Sequence, residues 1–132
     1  MKIVYTTSFY PPCGLLGGGT AESSRLLAEA MAARGHDVVM VTPNWQVDGE
    51  PDRRSHLEQI GGVLVFRVGA PMPVDDGVFN GSGKFQRVMA EAMKLAGAES
   101  ADMLHVLDRR MIDSALLIRQ RPLHRVSLTL QD

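Results

Sequence analysis

The chain has 132 residues, 45% of them hydrophobic and 22% charged, which describes one globular domain with a core and not a disordered segment. Its 14 basic and 15 acidic residues leave a formal net charge of -1, without the basic footprint of a nucleic-acid binder. One cysteine, Cys13, supports neither an intramolecular disulfide nor a metal framework, and no apolar run is long enough to span a bilayer. A cytoplasmic setting is expected, with contact at a membrane surface left open.

Ile3-Val4-Tyr5 is a short apolar run of the kind that forms a buried parallel strand. A Pro- and Gly-rich loop follows from Ser8 to Gly19 and leads into a helix from about Thr20 to Arg34. Leu26, Leu27, Ala30 and Met31 give that helix an apolar face, Glu22, Arg25 and Glu29 a polar one, and Gly35 a stop. Val38 to Val41 forms a second strand closed by Pro43, and Asn44 to Ser55 is polar and irregular. His56 to Ile60 holds a short helix or no element, and Gly61-Gly62 leads into a third strand, Val63 to Val68.

A loop from Gly69 to Gly83, with turn residues such as Asp75-Asp76-Gly77, precedes the clearest helix of the chain. There Phe85, Val88, Met89, Ala92, Met93 and Ala96 recur at i, i+3, i+4, i+7, i+8 and i+11, the spacing of a core-facing stripe. Met103 to Leu107 is a fourth strand, Met111 to Gln120 a third helix, and Val126 to Leu130 a fifth strand. Strands alternating with amphipathic helices predict an α/β fold: a Rossmann-like open parallel sheet of about five strands, order 3-2-1-4-5, with helices on both faces.

In such a sheet ligands bind beyond the carboxyl ends of the strands where the order reverses, here between strands one and four. The Gly17-Gly18-Gly19 bend and the Asp108-Arg109-Arg110 turn then flank one crevice. Glycines before a helix let a ligand approach free backbone N–H groups and the positive end of the helix dipole, although the same glycines also serve a plain tight turn. No Gly-Lys-Ser/Thr follows, so this is no Walker motif, and the G-x-G-x-x-G fingerprint of a nicotinamide site is absent. No cofactor and no metal are expected. His105 reads as a core histidine inside a strand, His36 as a turn residue, and Cys13 as a small side chain in a loop. Arg109 and Arg110 suit either an anionic acceptor or ordinary surface charge, and Asp108 either a hydroxyl ligand or a solvated loop.

Several segments in order resemble family-4 glycosyltransferases of the GT-B fold. They are Met1-Lys2-Ile3-Val4, Phe9-Tyr10-Pro11-Pro12, Gly18-Gly19-Thr20-Ala21-Glu22, the passage from Leu27 through Arg34-Gly35-His36-Asp37 to Pro43, Ala101 to Val106, and Val126 to Asp132. The resemblance implies that residues 1–132 are a single N-terminal, acceptor-side domain, cut short, whose C-terminal donor-binding domain lies outside the chain. The parent enzyme would be retaining and move a hexose from a nucleotide diphosphate sugar to a hydroxyl acceptor, while this piece alone would be inactive. Gly17, Gly18 and Gly19 would admit the diphosphate or sugar, Thr20 would cap the helix, and Asp108, Arg109 and Asp132 would meet substrate. Two family histidines are missing, since Leu107 and Gln131 stand in their places, so catalytic roles stay unassigned. A small flavodoxin-like binding or regulatory module and a natural half-enzyme that pairs with a separate subunit are the competing readings. Homodimerisation through uncovered sheet surface is a further expectation.

Overall fold

The computed structural model describes residues 1–13, 18–45, 52–70, 83–118 and 125–128. In chain order they form β1 (Lys2–Thr6), α1 (Gly18–Ala33), β2 (Asp37–Pro43), β3 (His56–Ile60), β4 (Val63–Val68), α2 (Lys84–Leu95) and β5 (Met103–Val106). A 3-10 turn, Arg109–Met111, then runs into a short α3 (Ile112–Leu116), and β6 (Arg125–Leu128) follows. One six-stranded sheet has the order β3-β4-β2-β1-β5-β6. The strands β4, β2, β1, β5 and β6 are mutually parallel and reproduce the 3-2-1-4-5 order expected from the sequence.

The sixth strand corrects the reading of His56 to Ile60 as a short helix or nothing. β3 pairs antiparallel with β4, from His56 opposite Arg67 to Ile60 opposite Val63. Gly61 and Gly62 both take positive φ, 58° and 83°, the pair of left-handed residues that a tight two-residue hairpin needs. Those two glycines therefore turn the chain back on itself, and do more than lead into β4.

Alternation along the strands divides the core into two layers. Val4, Val39, Val41, Leu104 and Val106 face α2 and α3, where Phe85, Met89, Met93, Met111 and Ala115 are buried. Ile3, Tyr5, Val38, Met40, Val63 and Val65 face α1 on the other side, together with Tyr10 and Leu107. The stripe read along α2 is the buried one, with Phe85, Met89, Ala92 and Met93 all enclosed. On α1 the buried line is rotated from expectation: Ala21, Ser24 and Ala28 are enclosed while Leu26 is 57% exposed. Small side chains let the helix lie close on the sheet, and the larger Leu27 and Met31 fill in at its flanks. The polar face holds Arg25 between Glu22 and Glu29.

Gly35 ends α1 as expected, with its N–H donating to the Ala32 carbonyl at 3.0 Å. His36 sits at the amino edge of the sheet, where its ring Nδ1 lies 3.1 Å from the amino group of Met1. Among the described residues no helix is long and apolar enough to cross a membrane.

Met93 has no exposed surface and packs at the centre of the α2 layer. Met93→Ala is expected to lower stability by about 2–5 kcal/mol, read as a fall in the urea midpoint at unchanged slope.

Candidate substrate-binding site at the carboxyl edge

β1 lies between β2 and β5, so the strand order reverses beside it and the carboxyl edge opens there. After β1 the chain stays pinned to its neighbours: Thr6 Oγ1 donates to the Val41 carbonyl at 3.0 Å, and Leu107 N donates to the Thr6 carbonyl at 2.9 Å. Asp108 then ties the loop after β1 to the turn after β5. Its carboxylate accepts from Ser8 N at 2.6 Å, Ser8 Oγ at 3.0 Å, Thr7 Oγ1 at 3.2 Å and Arg110 N at 2.9 Å. Asp108 is only 4% exposed. It is no solvated loop acid: its oxygens are engaged by four protein donors, and its part in the site is to hold two loops together.

That junction carries an aromatic layer. Trp45 donates its indole N–H to the Ser8 carbonyl at 2.8 Å, and its ring stacks on Phe9 with centroids 5.3 Å apart. The Arg110 guanidinium lies 5.6 Å from the Phe9 ring centre, a cation–π contact. Arg109 and Arg110 are both exposed, and among the described residues neither is in an ion pair.

A second anchor was not singled out from the sequence. Arg67, on β4, is 4% exposed; its Nε donates to Glu58 at 2.7 Å, its Nη1 to the Tyr10 carbonyl at 2.9 Å, and its Nη2 to the Pro11 carbonyl at 2.8 Å. A lone arginine in an otherwise apolar strand was the available signal. It fastens the Tyr10-Pro11-Pro12 segment, whose Pro11–Pro12 bond is cis, onto β4. Beside this clamp lies a hollow of about 240 Å³ lined by Pro12, Cys13, Asn44, Trp45, His56, Glu58 and Arg67. A larger trough of about 630 Å³ over β3 and β4 is lined mainly by apolar groups such as Val39, Leu57, Leu64, Phe66 and Leu95. Its polar lining is Lys2, Asp37, Ser55 and His56.

The charges follow from these contacts. Burial works to raise the Glu58 carboxyl, but the hydrogen bond and charge of Arg67, and then His56, outweigh it and hold Glu58 below the usual value. Tyr10 is pushed up to about 12, first by burial and then by the charge of Glu29. Burial also raises the Cys13 thiol, only partly countered by Arg67, so the thiolate is disfavoured. The His105 ring lies tilted against Tyr5 with centroids 5.3 Å apart, and burial lowers its pKa. It is a half-buried strand histidine whose charged form burial disfavours.

Gly18 and Gly19 open α1, with Gly18 at φ 45°. A Cβ at either position would meet nothing within 4 Å, so the space beside this backbone is free of packed side chains. Thr20 is corrected from helix cap to third residue of the helix, where its carbonyl accepts from Ser24 Oγ at 2.9 Å. The helix begins two residues earlier than read because consecutive glycines allow the bend to be completed before Thr20. Gly17 and Asp132 lie outside the described residues, as do Asp75-Asp76 and Gln131. Among the described residues no cluster of His, Cys, Asp or Glu could hold a metal ion.

An open, mainly parallel sheet with a glycine-led helix and a polar carboxyl edge defines a Rossmann-like domain of the kind that builds GT-B glycosyltransferases. Residues 18–131 match the glycosyl transferase 4-like domain, and the chain belongs to that family. Among solved structures it is similar to the catalytic domain of starch synthase IV from Arabidopsis thaliana bound to ADP and acarbose, at TM-score 0.70 and 18% identity. It is likewise similar to sucrose-phosphate synthase from Thermosynechococcus elongatus, at TM-score 0.67 and 20% identity. Each likeness covers all of this chain but only 34% and 33%, respectively, of the other, so the chain spans about a third of their length. No curated protein matches it in sequence. Family membership takes the place of the flavodoxin-like reading.

Two outcomes test these anchors. Asp108→Ala leaves the Ser8 and Arg110 amides without their acceptor and is expected to cost about 2–4 kcal/mol by urea unfolding, with Asp108→Asn costing less. Glu58, lowered in the folded state, adds stability that is present above about pH 4.3 and is lost as the pH falls through its folded value. Glu58→Gln should therefore flatten the stability profile in that acid window while lowering the neutral plateau.

Proposed function

We propose that this chain is the acceptor-side domain of a retaining glycosyltransferase that moves a hexose from a nucleotide diphosphate sugar to a hydroxyl acceptor in the cytoplasm. One observation carries this reading: in a chain of this family, the Asp108 junction joins the exit of β1 to the turn after β5 on a single edge of the sheet. The unfilled space beside Gly18 and Gly19 supports contact with the donor diphosphate, since amides at a helix start favour an anion. Arg109, exposed on the same edge, is the group proposed to meet an anionic part of donor or acceptor. Asp132 is proposed to reach an acceptor hydroxyl.

A second domain is proposed to close over this edge and hold the nucleotide. The protein's share of catalysis would then be positioning of the acceptor and stabilisation of the leaving diphosphate. The 132-residue chain alone is expected to show no sugar transfer with UDP-, ADP- or GDP-hexoses, and release of nucleotide coupled to product by this chain would refute that.

Gly19 separates binding from folding. Its φ is not positive and a Cβ there meets nothing, so Gly19→Ala should leave the Tm unchanged or slightly raised. In the enzyme completed by a donor-binding domain, the same change should weaken donor binding at least tenfold, read by calorimetry; unchanged donor affinity would remove this bend from the site.

A further inference from the structure

The hollow beside Trp45 has the makings of a sugar subsite separate from the glycine bend. It lies at the carboxyl end of β2 and β4, bounded by Trp45 and Asn44 from the exit of β2, by Glu58 on β3, and by Arg67 on β4. Its volume of about 240 Å³ equals the share of roughly eight liquid waters, room for a single ring. Trp45 is the sole tryptophan of the chain, is half-buried, and is held by its N–H bond to Ser8 and its stack on Phe9. A fixed, partly open indole offers an apolar face for the C–H side of a pyranose.

The polar groups define which ring fits. Arg67 has three of its five N–H donors, one on each nitrogen, committed to Glu58, Tyr10 and Pro11, and its charge is paired with Glu58. Asn44 gives one of its two amide N–H donors to the Arg54 carbonyl at 2.7 Å, which leaves its carbonyl oxygen and its second N–H. Glu58 takes one bond from Arg67 on Oε1 and one contact from His56 on Oε2, at 3.3 Å, with a second lone pair left on each oxygen. The Glu58 carboxylate matches hydroxyl donors and repels a carboxylate or phosphate, and the Asn44 amide can both accept from and donate to a hydroxyl.

We propose that this hollow binds a neutral pyranoside, with Trp45 stacking on the ring and Glu58 and Asn44 accepting from its hydroxyls. This rests on the glycosyltransferase reading and deepens it by assigning the acceptor to the class of uncharged sugars. A hydrogen bond from a hydroxyl to the charged Glu58 contributes about 1.5–3 kcal/mol, so one lost bond is worth about tenfold or more in affinity.

The test is a titration of the full chain with methyl glucoside, methyl galactoside and methyl mannoside, read by the emission of Trp45. A saturable change at millimolar concentration is expected with at least one neutral pyranoside. Glucuronate and glucose 6-phosphate should bind at least tenfold more weakly. Glu58→Gln, with its fold checked by circular dichroism, should weaken the neutral ligand about tenfold and narrow its advantage over glucuronate. Trp45→Ala, followed by ligand-observed NMR, should abolish binding. No saturable response to any neutral pyranoside, or equal affinity for glucuronate or inorganic phosphate, would overturn the proposal. The titration uses neither donor nor transfer, so pyranoside binding without transferase activity in the completed enzyme would remove the transferase reading and leave the subsite standing.

Discussion

A buried carboxylate is costly unless its oxygens are satisfied, and the carboxyl edge of this domain is arranged around one such group. Asp108 accepts from the backbone and side chain of Ser8, from Thr7 and from the amide of Arg110. These donors come from two loops about a hundred residues apart in the chain, so the bond geometry sets the distance between them. β1 and β5 lie side by side where the strand order reverses, so the junction stands at the edge where such sheets commonly bind ligands. The stack of Trp45 on Phe9 and the contact of Arg110 with Phe9 are built onto that junction, since Trp45 also bonds to the Ser8 carbonyl.

Arg67 performs the matching task at the other end of the edge. A buried guanidinium with three committed nitrogens draws β3, through Glu58, and the Tyr10-Pro11 loop onto β4. Removing Glu58 leaves the buried Arg67 charge without its counterpart, the costly case for buried ions. The hollow beside Trp45 is thus framed by groups whose own bonds are mostly made. What remains unspent is acceptor capacity on Glu58 and the second half of the Asn44 amide, and the ligand preference proposed for the hollow rests on that remainder.

Membership in the glycosyl transferase 4-like family and a TM-score of 0.70 to a starch synthase catalytic domain place this architecture in a known setting. At 18% and 20% identity the solved structures speak to fold alone. Specificity has to come from the edge itself. On that edge the glycine bend offers open backbone, the Arg109-Arg110 turn offers exposed positive charge, and the Trp45 hollow offers an aromatic face with acceptors. These three surfaces differ in chemistry, and the proposed roles in meeting a charged donor and an uncharged sugar rest on that difference.

The sequence by itself determined the parallel sheet, its order and the α2 stripe. Each rests on local periodicity: runs such as Ile3-Val4-Tyr5 and Val38 to Val41 mark strands, and Phe85, Met89 and Met93 mark one helix face. It also pointed to the edge where the glycine bend and the Asp108 turn belong, because topology alone dictates which strand ends meet. Only the tertiary structure decided that His56–Ile60 is a strand, since that short polar segment has little preference until β4 supplies its hydrogen bonds. The same holds for Asp108 as a junction and Arg67 as a clamp. Their partners stand 100 and 56 or 57 positions away in the chain, and no spacing rule reaches across such distances. A polar side chain becomes structural or functional according to which of its bonds the fold has already used, and that count exists only once the strands have come together.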